Sequence, residues 1–357
     1  MGARLSPRPA RGAMPAARRM IPRESFSLLF GFILVLAVGY GLRRSGRLEP
    51  SAANTLNLLV TDVTMPALIV ATLSARPLPL GVLRALASAT IVLFTSLALG
   101  ALAGRALRLP RRAEGALALT SGFANTGFLG VPFVLALYPS APEAGMTAVL
   151  IDAFVTTLWI YTLGVACARR YGAGDPAADA RAGSTAALPR PLSTPSRAPI
   201  GAPPLHRVLL TPPTMAVVIG LGMSLLGLRL PPFLDRAAAL LGGATAPMVF
   251  LALGVRLELR SLIGRARPML AVAAVRLLIA PALMIALTAL LRLGGPEREA
   301  AVLEAAMPSA MMSAVVADRY CCDGPLATGA VVLTFLLSLL TLPGWLAALH
   351  LLGAYAY

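Results

Sequence analysis

The stretch SGFANTGFLGVPF, Ser121 to Phe133, decides the fold. It lies inside an apolar segment long enough to cross a membrane. Asn125, Thr126, Gly127, Gly130 and Pro132 are nevertheless poor interior residues for a helix in lipid. Lipid cannot hydrogen-bond the backbone groups that a break sets free. Such a break is tolerated only where protein buries it or where it lines a cavity. Interrupted spans are also the best sequence pointer to the binding site of a carrier. The stretch therefore predicts a broken transmembrane helix with a polar site at the break.

Composition agrees with a membrane setting. The chain has 357 residues, 57% hydrophobic and 13% charged, against roughly 25% charged in soluble domains. All 31 basic residues are Arg. They stand between apolar runs and form no basic stripe interleaved with aromatics, so anchoring at lipid headgroups is expected and nucleic-acid binding is not. Cys167, Cys321 and Cys322 show no metal or redox spacing, and the two histidines, His206 and His350, stand far apart. No metal and no cofactor is expected. Catalytic constellations such as a nucleophile elbow or a phosphate loop are absent from the sequence, so an enzyme is not expected.

Ten apolar segments can be marked, at about 26–42, 55–74, 82–104, 115–138, 144–168, 211–228, 237–257, 268–291, 299–318 and 326–352. Residues 1–25, rich in Arg, Pro and Ala, read as a disordered tail. Residues 169–210, rich in Pro, Ala, Ser and Arg, read as a flexible linker. The linker divides the chain into five-span halves, 26–168 and 211–357. The halves resemble one another. Gly39, Gly41, Gly46, Pro50 and Pro66 recur 181 positions later as Gly220, Gly222, Gly227, Pro231 and Pro247. An odd number of spans per half makes the repeat inverted. Connections after the odd-numbered spans carry 18 Arg and those after the even-numbered spans carry 6. The positive-inside rule then puts the linker in the cytosol and both termini outside. The six Arg of the N-terminal tail carry the opposite bias.

The candidate site follows from the breaks. A second half-helix begins with free N–H groups and a partial positive charge, which attract anions. Asn125 and Thr126 add side-chain donors, and Gly127, Gly130 and Pro132 shape the turn. In the second half of the chain, Met307, Pro308 and Ser309 make the matching break, with Ser313 one turn further on. Two such ends meeting near the midplane would suit a carboxylate. Asp62, Asp152 and Arg276 are charges inside apolar spans, where charge is costly and usually functional. Arg276 is expected either to pair with an Asp or to face an anionic substrate. Asp152 is expected to lie near the substrate or to exchange a coupling proton, with a structural ion pair as the alternative.

GFANTGFLGVPFVLALYP resembles the fourth-helix signature of the auxin efflux carrier family of membrane transporters. LNLLVTDVTMPALIVATL from Leu56, TPPTMAVVIGLGMSLLGLRLPPFL from Thr211 and AAMPSAMMSAVVADRY from Ala305 resemble other segments of that family. The resemblance covers all ten spans in order. It implies ten helices in two inverted five-helix repeats, with the fourth and ninth broken and crossing near the midplane. It implies organic anions as substrates. Asn125 matches the crossover residue that meets the substrate carboxylate, Pro308 the breaking proline, and Asn57 and Pro66 the second-helix pattern. Ala124 departs from the plant members' proline, Met311 and Met312 are less polar than in many relatives, and Asp62 stands where an apolar or aromatic residue is expected.

The expectation is an all-helical, multi-pass carrier of small organic acids in the cytoplasmic (inner) membrane, driven by the membrane potential or an ion gradient. The reading leaves room for a coupling proton and for a homodimer. A sodium-coupled symporter of the bile-acid type is the alternative, and a non-transporting receptor is the second alternative.

Overall fold

In the computed structural model, residues 22–49, 51–74, 80–173, 210–257 and 265–354 are described. Most of the expected tail (1–21) and linker (174–209) lies outside them. The described residues are helical throughout, with no strand beyond a single isolated bridge. In chain order the helices are α1 (Pro22–Arg44), α2 (Ala52–Ser74), α3 (Leu80–Ala106), α4 (Arg111–Gly122), α5 (Thr126–Leu137) and α6 (Pro142–Gly172). There follow α7 (Pro212–Leu225), α8 (Pro232–Arg256), α9 (Ala266–Leu290), α10 (Gly295–Ala306), α11 (Met311–Arg319) and α12 (Gly324–Ala354).

Six of these, α2, α3, α6, α8, α9 and α12, are long and apolar enough to cross a bilayer, and α5 and α7 are shorter apolar helices. Of the four expected spans not among these six, the first is α1, and the other three have local causes. The fourth expected span is cut into α4 and α5. The ninth is cut into α10 and α11. The sixth is α7, which reaches only 14 residues.

The helices form two packing groups. α1, α2, α7 and α8 pack on one another, while α3, α4, α6, α9, α10 and α12 form the second group around α5 and α11. Each group draws on both halves of the chain. The groups meet where α12 and α5 touch α1, where α5 touches α8 and where α6 touches α2.

Small residues let backbones approach inside each group. Gly39 of α1 lies against the backbone of Leu251 in α8, and Gly254 of α8 lies against the backbone of Leu36 and Tyr40 in α1. A Cβ at Gly254 would strike the Leu36 carbonyl, which cannot move aside as a side chain can. Gly254→Val should therefore destabilise the protein by about 1–3 kcal/mol, the usual size of an overpacking penalty. Gly222→Ala, where a Cβ meets open space, should not. Thermal unfolding in detergent checks both; equal melting temperatures for the two variants would refute the close-approach reading.

Gly46 and Gly227, matched in sequence at the 181-residue offset, both adopt left-handed backbone, with φ of 72° and 67°. Arg108 and Arg292 do so as well, with φ of 51° and 50°.

Several helices contain a wider, π-helical turn. Such turns recur at Val60–Thr64, Thr126–Gly130, Asp152–Thr157, Ile160–Gly164 and Val275–Ile279. Asp62, Asp152 and Arg276 each sit in one of them. π-turns often mark functional positions, because the extra residue turns one side chain out of helical register.

Candidate functional site

Both breaks form where the sequence places them. α4 ends at Gly122, and Phe123 is extended, with φ −100° and ψ 119°. α10 ends at Ala306, and Met307 is extended, with ψ 146°. A residue before proline is pushed into that region, and Pro308 has no N–H with which to continue a helix. The two extended segments then pair. Ala124 and Ser309 make an antiparallel bridge. The Asn125 N–H donates to the Pro308 carbonyl at 2.8 Å, and the Ala310 N–H donates to the Phe123 carbonyl at 2.8 Å. Each break thus satisfies the other's backbone, which is what permits irregular chain at membrane depth.

Side chains complete the junction. The Ser309 hydroxyl donates to the Thr120 carbonyl at 2.7 Å, and the Ser309 N–H donates to the Thr334 hydroxyl at 3.2 Å. Ser313 is buried and its hydroxyl turns back to the Ala310 carbonyl at 2.6 Å. Pro132 is buried in the first turn of the regular part of α5.

Arg276 is 2% exposed. Its Nη1 donates to the carbonyls of Ser121 and Gly122, each at 3.2 Å, and its Nη2 donates to the Ala305 carbonyl at 2.6 Å. These carbonyls close α4 and α10. One guanidinium therefore caps the negative ends of both first half-helices. It makes no ion pair with an acidic side chain among the described residues, so the expected pairing with an Asp is not among its contacts.

Asp152 meets the opposite kind of end. The Thr126 hydroxyl donates to its Oδ1 at 2.6 Å, and the Gly127 N–H also donates to it. Thr126 and Gly127 open α5. The chain's own carboxylate therefore occupies the half-helix N-terminus that the sequence reading reserves for a substrate. Gly127 is required there, because a Cβ would lie 2.7 Å from the Asp152 carboxylate.

Glu304, on α10, has no place in the sequence expectations. It is 1% exposed, and neither carboxyl oxygen has a hydrogen-bond partner. Its carboxyl rests on Gly130, where a Cβ would strike it. Asp62, in contrast, is exposed on α2 beside the exposed Leu58, Leu59 and Val63, outside this cluster.

A cavity of about 240 Å³ adjoins the crossing. Asn125, Pro308, Ser309 and Met311 form its floor, and Arg256, at the end of α8, stands at its rim. Its remaining walls are mainly apolar, including Leu253, Val331 and Phe335. Arg256 is held by Asn54, whose Oδ1 accepts from its Nη2 at 2.5 Å. The sequence reading counts Arg256 only as a charge at a span end. On the other face of the crossing lies a space of about 20 Å³, bordered by Thr126, Thr156, Arg276 and Ala305.

A multi-pass helical protein with paired helix breaks and a cavity beside them belongs to the class of membrane transporters, and the comparisons with known proteins agree. Residues 25–346 match the model of the family described as "Membrane transport protein". The chain belongs to that family, the auxin efflux carrier-like family to which its motifs point. An "uncharacterized transporter" of Methanothermobacter thermautotrophicus is 28% identical over 333 residues, covering 91% of this chain and 99% of the relative. A second, of Methanocaldococcus jannaschii, is 28% identical over 336 residues, covering 91% and 98%.

Proposed function

We propose that the protein is a secondary carrier of small organic anions in the cytoplasmic membrane, built as ten spans in two inverted repeats. The cavity beside the crossing carries this reading. Three of its polar groups suit an anion: the Arg256 guanidinium, the Asn125 amide and the N-terminal end of α11 at Met311. Its apolar walls suit a carbon skeleton. Its volume, below the usual 300–1,000 Å³ of ligand pockets, suits a small acid. The left-handed pair Gly46 and Gly227, at the offset of the sequence repeat, supports the repeat. The two packing groups supply bodies that can shift against each other and expose the crossing to either side. The membrane potential, about 2.3 kcal/mol per charge per 100 mV, is enough to drive an anion outward.

The test is counterflow in proteoliposomes with a panel of mono- and dicarboxylic acids, under imposed pH, sodium and voltage gradients. At least one carboxylate should exchange. Arg256→Gln should weaken its apparent affinity about two- to fivefold, the size of an exposed charge contact. Binding without counterflow would make the protein a receptor, and exchange of neutral solutes alone would remove the anion from the reading.

A further inference from the structure

We propose that Glu304 is a proton-binding site, loaded in the conformation seen here and emptied when the crossing opens. The observation is the contrast among three charges at one junction. Arg276 is met by three carbonyls. Asp152 is met by a hydroxyl and an N–H at a helix N-terminus. Glu304 is met by no donor at all, with both oxygens enclosed. An ionised carboxylate left unpaired in an apolar interior is too costly to hold; the neutral, proton-carrying form is not.

The groups that face Glu304 sharpen the point. Asp152 lies within electrostatic reach of it. Their contacts on α5, Gly127 and Gly130, lie in one turn. Two carboxylates so placed resist ionising together. Arg276, from α9, touches the next residue, Ala305, but its Nη groups are committed to carbonyls. The other charged or titratable groups on the long helices packed against α10 are Arg84 and Arg105 of α3, Glu143, Tyr161, Cys167, Arg169, Arg170 and Tyr171 of α6, Arg267 of α9 and His350 of α12; all but Tyr161 and Cys167 lie near helix ends. The Glu297, Arg298 and Glu299 cluster lies in the first turn or so of α10 itself.

The placement couples the proton to movement. Glu304 is on the first half of one broken helix, and Gly130 is on the second half of the other. Gly130 lies in the turn of α5 that α8 of the other packing group touches, so a shift of one group against the other changes the surroundings of the carboxyl. When the crossing opens, the carboxyl releases H⁺ to water; when it closes, it takes one up. This coupling rests on the carrier reading above, but the existence of the site does not.

Infrared spectroscopy of the purified protein tests the site alone. At neutral pH the wild type should show the C=O stretch of a protonated carboxyl, lost in Glu304→Gln and retained in Asp152→Asn. No such band in the wild type, or its persistence in Glu304→Gln, would overturn the proposal. Should Glu304→Gln fail to fold, the wild-type band and its loss on alkaline titration still decide. In proteoliposomes, Glu304→Gln should keep substrate counterflow and lose the response to a pH gradient; an unchanged response overturns the coupling. A response to sodium with none to protons would also overturn it. If no carboxylate exchanges in the wild type, the carrier reading falls while the infrared result still judges the site.

Discussion

Arg276→Met should leave little folded protein in the membrane. The guanidinium holds three carbonyls belonging to two helix ends. Methionine keeps length and apolar bulk but donates nothing. A hydrogen bond to a charged group is worth about 1.5–3 kcal/mol, and each buried carbonyl left without a donor costs about 1–3 kcal/mol. Partial relaxation makes the whole less than the sum, so a loss of about 3–5 kcal/mol is expected. Against a total stability of roughly 5–15 kcal/mol that is a large share. Size-exclusion profiles and thermal unfolding in detergent measure it. Arg276→Lys should recover only part, because a point charge cannot span three carbonyls. Adding Asp152→Asn should not rescue Arg276→Met, because the two side chains are not partners. A well-folded Arg276→Met protein with weakened substrate affinity would instead place Arg276 in the binding site and refute its capping role.

The role of Arg276 shows where sequence reading stops. A charge inside an apolar span is legible as important, because its cost in lipid must be offset. Its partners here are backbone carbonyls, which every residue carries and no residue type announces. The breaks themselves are legible for the opposite reason: Gly, Asn and Pro interrupt helices through their own chemistry, and Pro308 even sets the extended geometry of Met307. What the sequence does not carry is that the two breaks are hydrogen-bonded to each other.

Glu304 left a signal that could have been read. The segment GPEREAAVLEAAMP opens with Glu297, Arg298 and Glu299, which look like the water-facing start of a span. Glu304 stands five residues beyond Glu299, about 7.5 Å deeper along a helix, and four residues before the breaking proline. Depth, and not residue type, separates it from its neighbours. Arg256 was obscured in the converse way. At the end of a span it is indistinguishable from the Arg residues that anchor at headgroups, and only the fold brings it beside Asn54 and over the cavity. Asp62 has the same apolar sequence surroundings as Asp152, yet it is exposed, because a one-dimensional reading does not tell the outer face of a helix from the inner one.

Asn125→Ala should reduce substrate affinity strongly and stability little. The residue's backbone carries the structural work: its N–H donates to Pro308, and its carbonyl accepts from Leu129 and Gly130. Alanine keeps all of these. The side-chain amide makes no hydrogen bond among the described residues, and the residue lines the cavity floor. Ser309, its neighbour on that floor, differs, because its hydroxyl is committed to the Thr120 carbonyl. The Asn125 amide is therefore the uncommitted donor at the crossing. Donation to a carboxylate is worth about 1.5–3 kcal/mol, which is a roughly 10–150-fold loss of affinity at about 1.4 kcal/mol per tenfold. Binding to purified protein, by calorimetry or by ligand-induced thermal shift, separates this from any change in turnover. Unchanged affinity in a well-folded Asn125→Ala protein would remove Asn125 from the site and leave Arg256 with the end of α11 as the cavity's means of holding an anion.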